Sequence, residues 1–329
     1  MKALVTGGTG FVGGAIVHEL LRRGHQVRVL ARESSRTEPL EKLGVEIARG
    51  DILEPAPLTG ALHGCDVLFH AAAIYELWVP DEHVLMRTEI EGTTNVLEAA
   101  LTAGVSQVVC TSTGATIGEP KGVTGNEQTT HRGYFLTPYE RAKYEAEQVA
   151  ESYRDRLGIV FIHPAAVLGP GDLKPTGQSL VNLLNGRFPA LFDGTLTFAD
   201  IGDVAAAHVI AAEKQKWGEH YIVAAQTMNT VEFFDLACRL AGLRRPPVVP
   251  GFIAGLFARY EEWKARRGGG TPLMTRGSFD LAAHGFRVDG AKAARELGLR
   301  YAPVEESLRR AFQWYWDQGL LTRKPACVE

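Results

Sequence analysis

Residues 6–13 read Thr6-Gly7-Gly8-Thr9-Gly10-Phe11-Val12-Gly13, between an apolar run, Ala3–Thr6, and a segment of helical periodicity, Val12–Arg23. Glycines at 7, 10 and 13 make GxxGxxG, a variant of the fingerprint found where a strand turns into a helix over a dinucleotide. Gly7 permits the tight turn, Gly10 lets backbone approach a pyrophosphate, and Gly13 lets helix and strand pack closely. The helix start offers free N–H groups and a positive dipole end to phosphates, with Thr9, Phe11 and Val12 beside them. Glycine-rich turns are common. This one gains its meaning from standing between a first strand and a first amphipathic helix.

The following chain alternates in the same way. Gln26–Leu30, Val45–Ala48, Val67–His70, Val108–Thr111 and Ile159–His163 read as short buried strands, separated by helical stretches at Glu89–Ala103 and Tyr139–Leu157. Gly24 after Arg22-Arg23 is a helix stop. Such alternation predicts an α/β fold: a Rossmann-type, doubly wound parallel sheet with helices on both faces. Residues 1–168 are assigned to a dinucleotide-binding domain, with 196–225 returning to it through Ile201–Lys214 and Tyr221–Val223. Residues 169–329 are expected mainly to form a smaller substrate-binding lid. It contains a helix near Gln178–Asn185, the run Arg244-Arg245-Pro246-Pro247, a Gly268-Gly269-Gly270 loop and a terminal helix around Val304–Gly319.

Composition excludes several classes. The net charge of −3 gives no electrostatic reason to expect nucleic acid or an anionic membrane as partner, although local basic patches stay open. Cys65, Cys110, Cys238 and Cys327 form no CxxC pair, so neither a metal site nor a disulfide framework is expected. No apolar run reaches the roughly 18–20 residues of a membrane span, and the first strand begins at once. A cytoplasmic protein is expected.

At the end of the second strand, an acidic residue would select NAD through the ribose 2′-hydroxyl. Here stands Arg32, with Arg36 close by. A guanidinium suits a 2′-phosphate, so NADP(H) is expected, with NAD(H) open. Further on, Tyr139 and Lys143 are four residues apart on one helical face. A neighbouring ammonium and an oxidised nicotinamide both favour phenolate, which would lower the tyrosine's pKa towards neutrality. Thr111-Ser112-Thr113 closes a strand at the carboxyl edge of the sheet, where a hydroxyl can polarise a substrate carbonyl.

With these motifs the chain resembles an extended short-chain dehydrogenase/reductase over nearly its whole length. The resemblance rests on Thr6–Gly13, Gly50-Asp51-Ile52, His70–Ala73, Thr111–Thr113, Tyr139/Lys143, His163-Pro164 and Asp203-Val204-Ala205. Tyr75–Trp78, Val167–Pro170 and Lys174–Thr176 point to the dihydroflavonol reductase-like group, which includes hopanoid-associated sugar epimerase-like members. The resemblance implies that Asp51 and Ile52 contact adenine and that Ala71, Ala72 and Ala73 wall the cofactor. It implies that Thr111 lies beside the cofactor, that Lys143 also binds the nicotinamide ribose, and that Pro164 and Val167 flank the nicotinamide. Thr113, before a small-residue pair and Gly118, would be the catalytic hydroxyl, with Ser112 as fallback. A homodimer built from the helices at Glu89–Ala103 and Tyr139–Leu157 is also implied.

Two positions depart from the family pattern. Glu89 replaces the usual Asn, and its carboxylate either pairs with Lys143 or faces solvent; His163 replaces Arg or Asn and reads as a core or capping histidine. Thr195–Ile201 lacks the arginine with which nucleotide-sugar enzymes of the family hold a diphosphate. Tyr75, Trp78, Tyr134, Phe135, Phe188 and Phe192 are candidates for an aromatic substrate pocket, balanced evenly against ordinary packing. Tyr75, Trp78, Ser112 and Tyr134 are taken as substrate residues. Carbonyl reduction is the leading expectation. A sugar epimerase or dehydratase is the second, and a non-catalytic NADP(H) sensor the third.

Overall fold

Ala3, Leu4 and Val5 are almost fully buried in β1 (Lys2–Thr6), and consecutive side chains leave a strand on opposite faces. A strand without a polar side must be covered from both sides, and this one is. The computed structural model describes residues 1–79, 81–268 and 270–329. In it β1 is flanked by β2 (Gln26–Ala31), β3 (Glu46–Arg49), β4 (Val67–His70), β5 (Gln107–Thr111) and β6 (Gly158–Pro164). With β9 (His220–Val223) they form a seven-stranded sheet of order β3-β2-β1-β4-β5-β6-β9, every pairing parallel. The order reverses between β1 and β4, and a ligand crevice opens at such a switch point.

One face packs α1 (Phe11–Arg22), α7 (Ile201–Glu213) and α11 (Ala291–Leu297) on Ala3, Val5, Val29 and Phe69. The other packs α3 (Pro55–Leu62), α4 (Glu82–Ala103) and α5 (Pro138–Glu151) on Leu4, Leu68 and Val108. The short α2 (Glu38–Glu41) follows β2. A second core joins β7 (Ala166–Leu168), β8 (Thr195–Asp200) and β10 (Gln226–Asn229) to α6 (Pro175–Leu184), α8 (Thr230–Ala241) and α12 (Val304–Asp317). A hairpin of α9 (Gly251–Gly268) and α10 (Arg276–His284) completes the lid side.

The expected return of residues 196–225 to the main sheet is therefore divided. α7 packs on α1 and β9 becomes an edge strand, but β8 pairs with β7 and β10 in the small sheet. Thr195 and Thr197 alternate with larger side chains there, a period-2 pattern that gives no address for the partner strand. Helix α4 begins seven residues before Glu89, where Asp81 accepts a hydrogen bond from the His83 amide as N-cap; its polar first turn hides it from an apolar-periodicity reading. Helix α5 ends at Glu151, short of Leu157, in a series of turns. In the expected triglycine loop, Gly268 closes α9 and Gly269 lies outside the described residues.

The glycine loop packs backbone against backbone. A Cβ on Gly13 would lie 2.2 Å from the Gly7 carbonyl oxygen, and one on Gly7 would lie 2.7 Å from the Ala71 carbonyl oxygen. Gly7 also has φ +71, a left-handed conformation that glycine adopts without penalty. Both obstacles are backbone and cannot rotate away. Gly13→Ala is expected to lose about 1–3 kcal/mol of stability and most nucleotide affinity, read by chemical denaturation and dinucleotide titration. An unchanged midpoint and affinity would refute this account of the loop.

Candidate active site

A cleft of about 620 Å³ runs along the carboxyl edge of β1, β2, β4 and β5. Gly7, Thr9, Gly10, Phe11, Val12 and Gly13 form its floor. Gly10 is the N-cap of α1 without a side-chain cap, so the first amides of the helix point into the cleft unclaimed by a side chain. Uncapped amides above a cradle that a Cβ would fill fit a pyrophosphate. The Thr6 hydroxyl accepts from the Ala71 and Ala72 amides (both 3.2 Å) and lies 2.8 Å from His70 Nδ1. Burial, aided by the Lys143 charge, pushes His70 down to about 3, so its ring is neutral. The bonding pattern then has Thr6 donate to Nδ1 while Nε2 donates to Thr93 (3.2 Å). This bolts the Ala71–Ala73 wall to the glycine loop.

Past the end of β2, Arg32 and Ser35 line the cleft. Arg49 shapes that turn, donating to the Arg32 carbonyl (3.1 Å) and the Thr37 hydroxyl (2.8 Å). Arg36 is not among the lining residues; it is highly exposed and lies 3.7 Å from Glu38. Asp51 and Ile52 line the far wall, and the Asp51 carboxylate is tied to the Leu53 amide at 3.0 Å. Pro164 and Val167 stand on the lid side of the cleft, and Ala71, Ala72 and Ala73 opposite.

Helix α5 starts where the sequence says it should: Thr137 caps the Glu140 amide and Pro138 occupies the first turn. Tyr139 and Lys143 both line the cleft and are both buried. Lys143 Nζ donates to the Thr111 carbonyl at 2.9 Å and pairs with Glu89 at 3.3 Å, while the Ile74 amide donates to the other Glu89 oxygen at 2.7 Å. Of the two fates open to Glu89, pairing with Lys143 is the one found. It changes the electrostatics. The Tyr139 phenol is raised well above its ordinary value, first by burial, then by Tyr75 and the Glu89 carboxylate, against a hydrogen bond from Thr113. Lys143, paired with Glu89 and held by the Thr111 carbonyl, does not offset that burial in the cofactor-free site.

The three strand-end hydroxyls part company. Thr111 Oγ1 bonds His208 Nε2 (2.9 Å), so only its carbonyl serves the site. Ser112 lines the cleft as well, but its hydroxyl donates to the Glu147 carboxylate and lies 3.2 Å from the Thr116 hydroxyl. Thr113 is left facing Tyr139. Among the aromatic candidates, Tyr75 lines the cleft with its ring 5.2 Å from that of Tyr139. Trp78 and Tyr134 are not among the lining residues, and Tyr134 is exposed beneath the Arg132 guanidinium. Phe188 packs on Phe234, Phe192 on Phe279, and Phe135 on His131 and Tyr144. The sequence reading missed Leu281 and Phe286 from the lid side, and Lys174, which pairs with Glu76 at 3.1 Å. Only the family resemblance carried by Lys174–Thr176 gave a signal for any of these.

Behind the site lies a buried polar network. Glu147 accepts from Ser112 and Thr116; His163 reaches Thr116 (3.2 Å) and His220 (2.9 Å), and His220 Nε2 meets Glu151 at 2.8 Å. Glu147, His163 and His220 bring possible ligand atoms within 4.8 Å of one another. Each ring nitrogen already has a protein partner. His163 is thus a core histidine with its pKa lowered, first by burial.

The NAD dependent epimerase/dehydratase family model matches residues 3–224. The chain is 34% identical to a putative dihydroflavonol 4-reductase of Synechocystis sp. (strain ATCC 27184 / PCC 6803 / Kazusa), over 96% of this chain and 94% of that one. It is 30% identical to sterol demethylase protein B of Methylococcus capsulatus (strain ATCC 33009 / NCIMB 11132 / Bath), over 98% and 100% respectively. The crystal structure of gox2253 superposes with a TM-score of 0.86 at 33% identity, covering 98% of this chain and 99% of that one. The chain belongs to the NAD-dependent epimerase/dehydratase family. Within it, this is an extended short-chain dehydrogenase/reductase of the dihydroflavonol reductase-like group, an NAD(P)-dependent enzyme acting on CH–OH or C=O groups.

Glu89→Gln removes the charge that raises Tyr139 and frees that of Lys143. Both changes favour phenolate, so the limb of the pH–rate profile set by Tyr139 should move to lower pH by about one unit in either reaction direction. An unmoved limb would show that Glu89 does not govern the phenol.

Proposed function

We propose that this protein is an NADPH-dependent reductase of a ketone or aldehyde on a partly apolar substrate. The observation that carries the reading is the protonated, buried Tyr139 with Thr113 beside it, at the apolar end of the cleft. There Ile74, Tyr75, Leu77, Val84, Leu281 and Phe286 supply the lining. Lys174 at that end is already paired with Glu76 and Lys143 with Glu89, and Thr195–Ile201 carries no arginine, which disfavours a sugar diphosphate. A relative named a reductase supports the same reading.

NADPH, when bound, supplies the hydride. The uncapped amides of α1 would hold its pyrophosphate, Arg32 and Ser35 its 2′-phosphate, and Pro164 and Val167 its nicotinamide end. Tyr139 then gives its proton to the substrate oxygen, and the Thr113 hydroxyl shares the charge that develops on it. A phenol with a raised pKa is fully protonated at neutral pH, the form a proton donor needs. Lys143, fixed by Glu89 and the Thr111 carbonyl, orients the ribose side of the site.

Candidate carbonyls should oxidise NADPH stoichiometrically, read at the nicotinamide absorbance band. Turnover of an activated sugar without net cofactor consumption would instead establish an epimerase. Tyr139→Phe should cut kcat by about 10²–10⁴-fold with dinucleotide affinity intact; a protein that keeps its cellular role with this change is a sensor. Arg32→Ser should weaken NADPH binding by about tenfold or more and leave NADH little affected, by titration of both cofactors. Equal losses for the two would rule out a 2′-phosphate contact.

A further inference from the structure

Helix α9 is built inside out. Its buried positions are Ala254, Ala258, Glu261 and Ala265, whereas Phe252 (71% exposed), Leu256 (59%), Tyr260 (54%), Trp263 (50%) and Ile253 (42%) face solvent. At 3.6 residues per turn the five large apolar side chains fall within about 100° of arc, opposite the alanine face. The other exposed large apolar residues, such as Leu43, Val123 and Leu173, are scattered along the chain. A contiguous stripe of this kind marks an interaction surface.

The charges around the stripe select its partner. Arg259 and Arg266 border it on one side and Lys264 on the other, all exposed, and Arg267 lies over the Trp263 ring at 4.4 Å. The two acids of the helix mostly hold the neighbouring segment: Glu261 accepts from the Leu273 amide (3.1 Å) and pairs with Lys264 at 3.5 Å, and Glu262 accepts from the Arg276 amide (2.7 Å). A chain of net charge −3 thus presents a cationic, aromatic, apolar strip along 18 residues. Self-association through the strip would bring cations of one copy against cations of the other, which disfavours a second copy as occupant. No helix among the described residues is long and apolar enough to cross a membrane.

We propose that α9 lies flat on an anionic lipid surface, with Phe252, Leu256, Tyr260 and Trp263 in the acyl boundary and the flanking Arg and Lys residues at the headgroups. Docking by this helix does not depend on which carbonyl the cleft reduces.

The test is co-sedimentation of the full chain with vesicles of phosphatidylcholine alone and of phosphatidylcholine with one-quarter phosphatidylglycerol, at low and high salt. Wild type should pellet with the anionic vesicles. Partitioning should fall by about tenfold or more on the neutral ones, in high salt, or in Leu256→Ser/Trp263→Ser. Arg259→Gln/Arg266→Gln should lose the preference for anionic lipid while retaining its fold by circular dichroism. Wild type that stays in the supernatant, or variants that pellet equally well, would overturn the proposal. A dimer in light scattering that Leu256→Ser/Trp263→Ser converts to monomer, without vesicle binding, would also overturn it and assign the stripe to a second copy. None of these readouts needs cofactor or turnover.

Discussion

The backbone-to-backbone contact between the first helix and the turn that precedes it sets the rest of the structure. Gly13 stands against Gly7, and Gly7 against the Ala71 strand end, with no room for a side chain at either place. Because α1 can sit that close, its uncapped amides open directly onto the switch point between β1 and β4. Thr6 and the neutral His70 fasten the alanine wall to the same turn. The glycine-loop end of the cleft is therefore formed largely by main chain, held in place by the buried Thr6 and His70 side chains.

Burial raises the Tyr139 phenol first, and Glu89 adds to it from behind the site. A buried ammonium without a partner would be costly, and a buried ion pair is tolerable only when its remaining valences are met. Here they are met by the Thr111 carbonyl and the Ile74 amide. Lys143 becomes a fixed strut, and the phenol beside it keeps its proton. This balance supports the proposed role of Tyr139 as proton donor, whereas an unpaired lysine would favour a phenolate base.

Much of this was legible in the sequence because the signals were local. The glycine turn, the alternating strands, and the four-residue spacing of Tyr139 and Lys143 depend on neighbours along the chain. Choices among long-range partners were not legible. Thr111, Ser112 and Thr113 look equivalent as a string, and they are separated only by His208 and Glu147, which arrive from distant segments. Leu281 and Phe286 reach the cleft from the lid side with no pattern that announces it. Trp78 and Tyr134 failed as lining residues for the same reason: aromatic character says what a side chain can pack on, not where its backbone will go. β8 had the pattern of a strand but nothing to name its sheet.

Helix α5 carries Tyr139, Lys143, Glu147 and Glu151 at successive intervals of four, and they meet in turn the cleft, Glu89, Ser112 with Thr116, and His220. The four drift by only about 40° per step, so they mesh like the teeth of a key with wards cut in distant parts of the chain. The gain or loss of one residue within that span would turn the downstream teeth by about 100° and disengage several of them at once. Substitutions along this helix can be absorbed one at a time; changes of length cannot. The position of Tyr139 is thereby tied to the interior of the protein as a matter of helical phase.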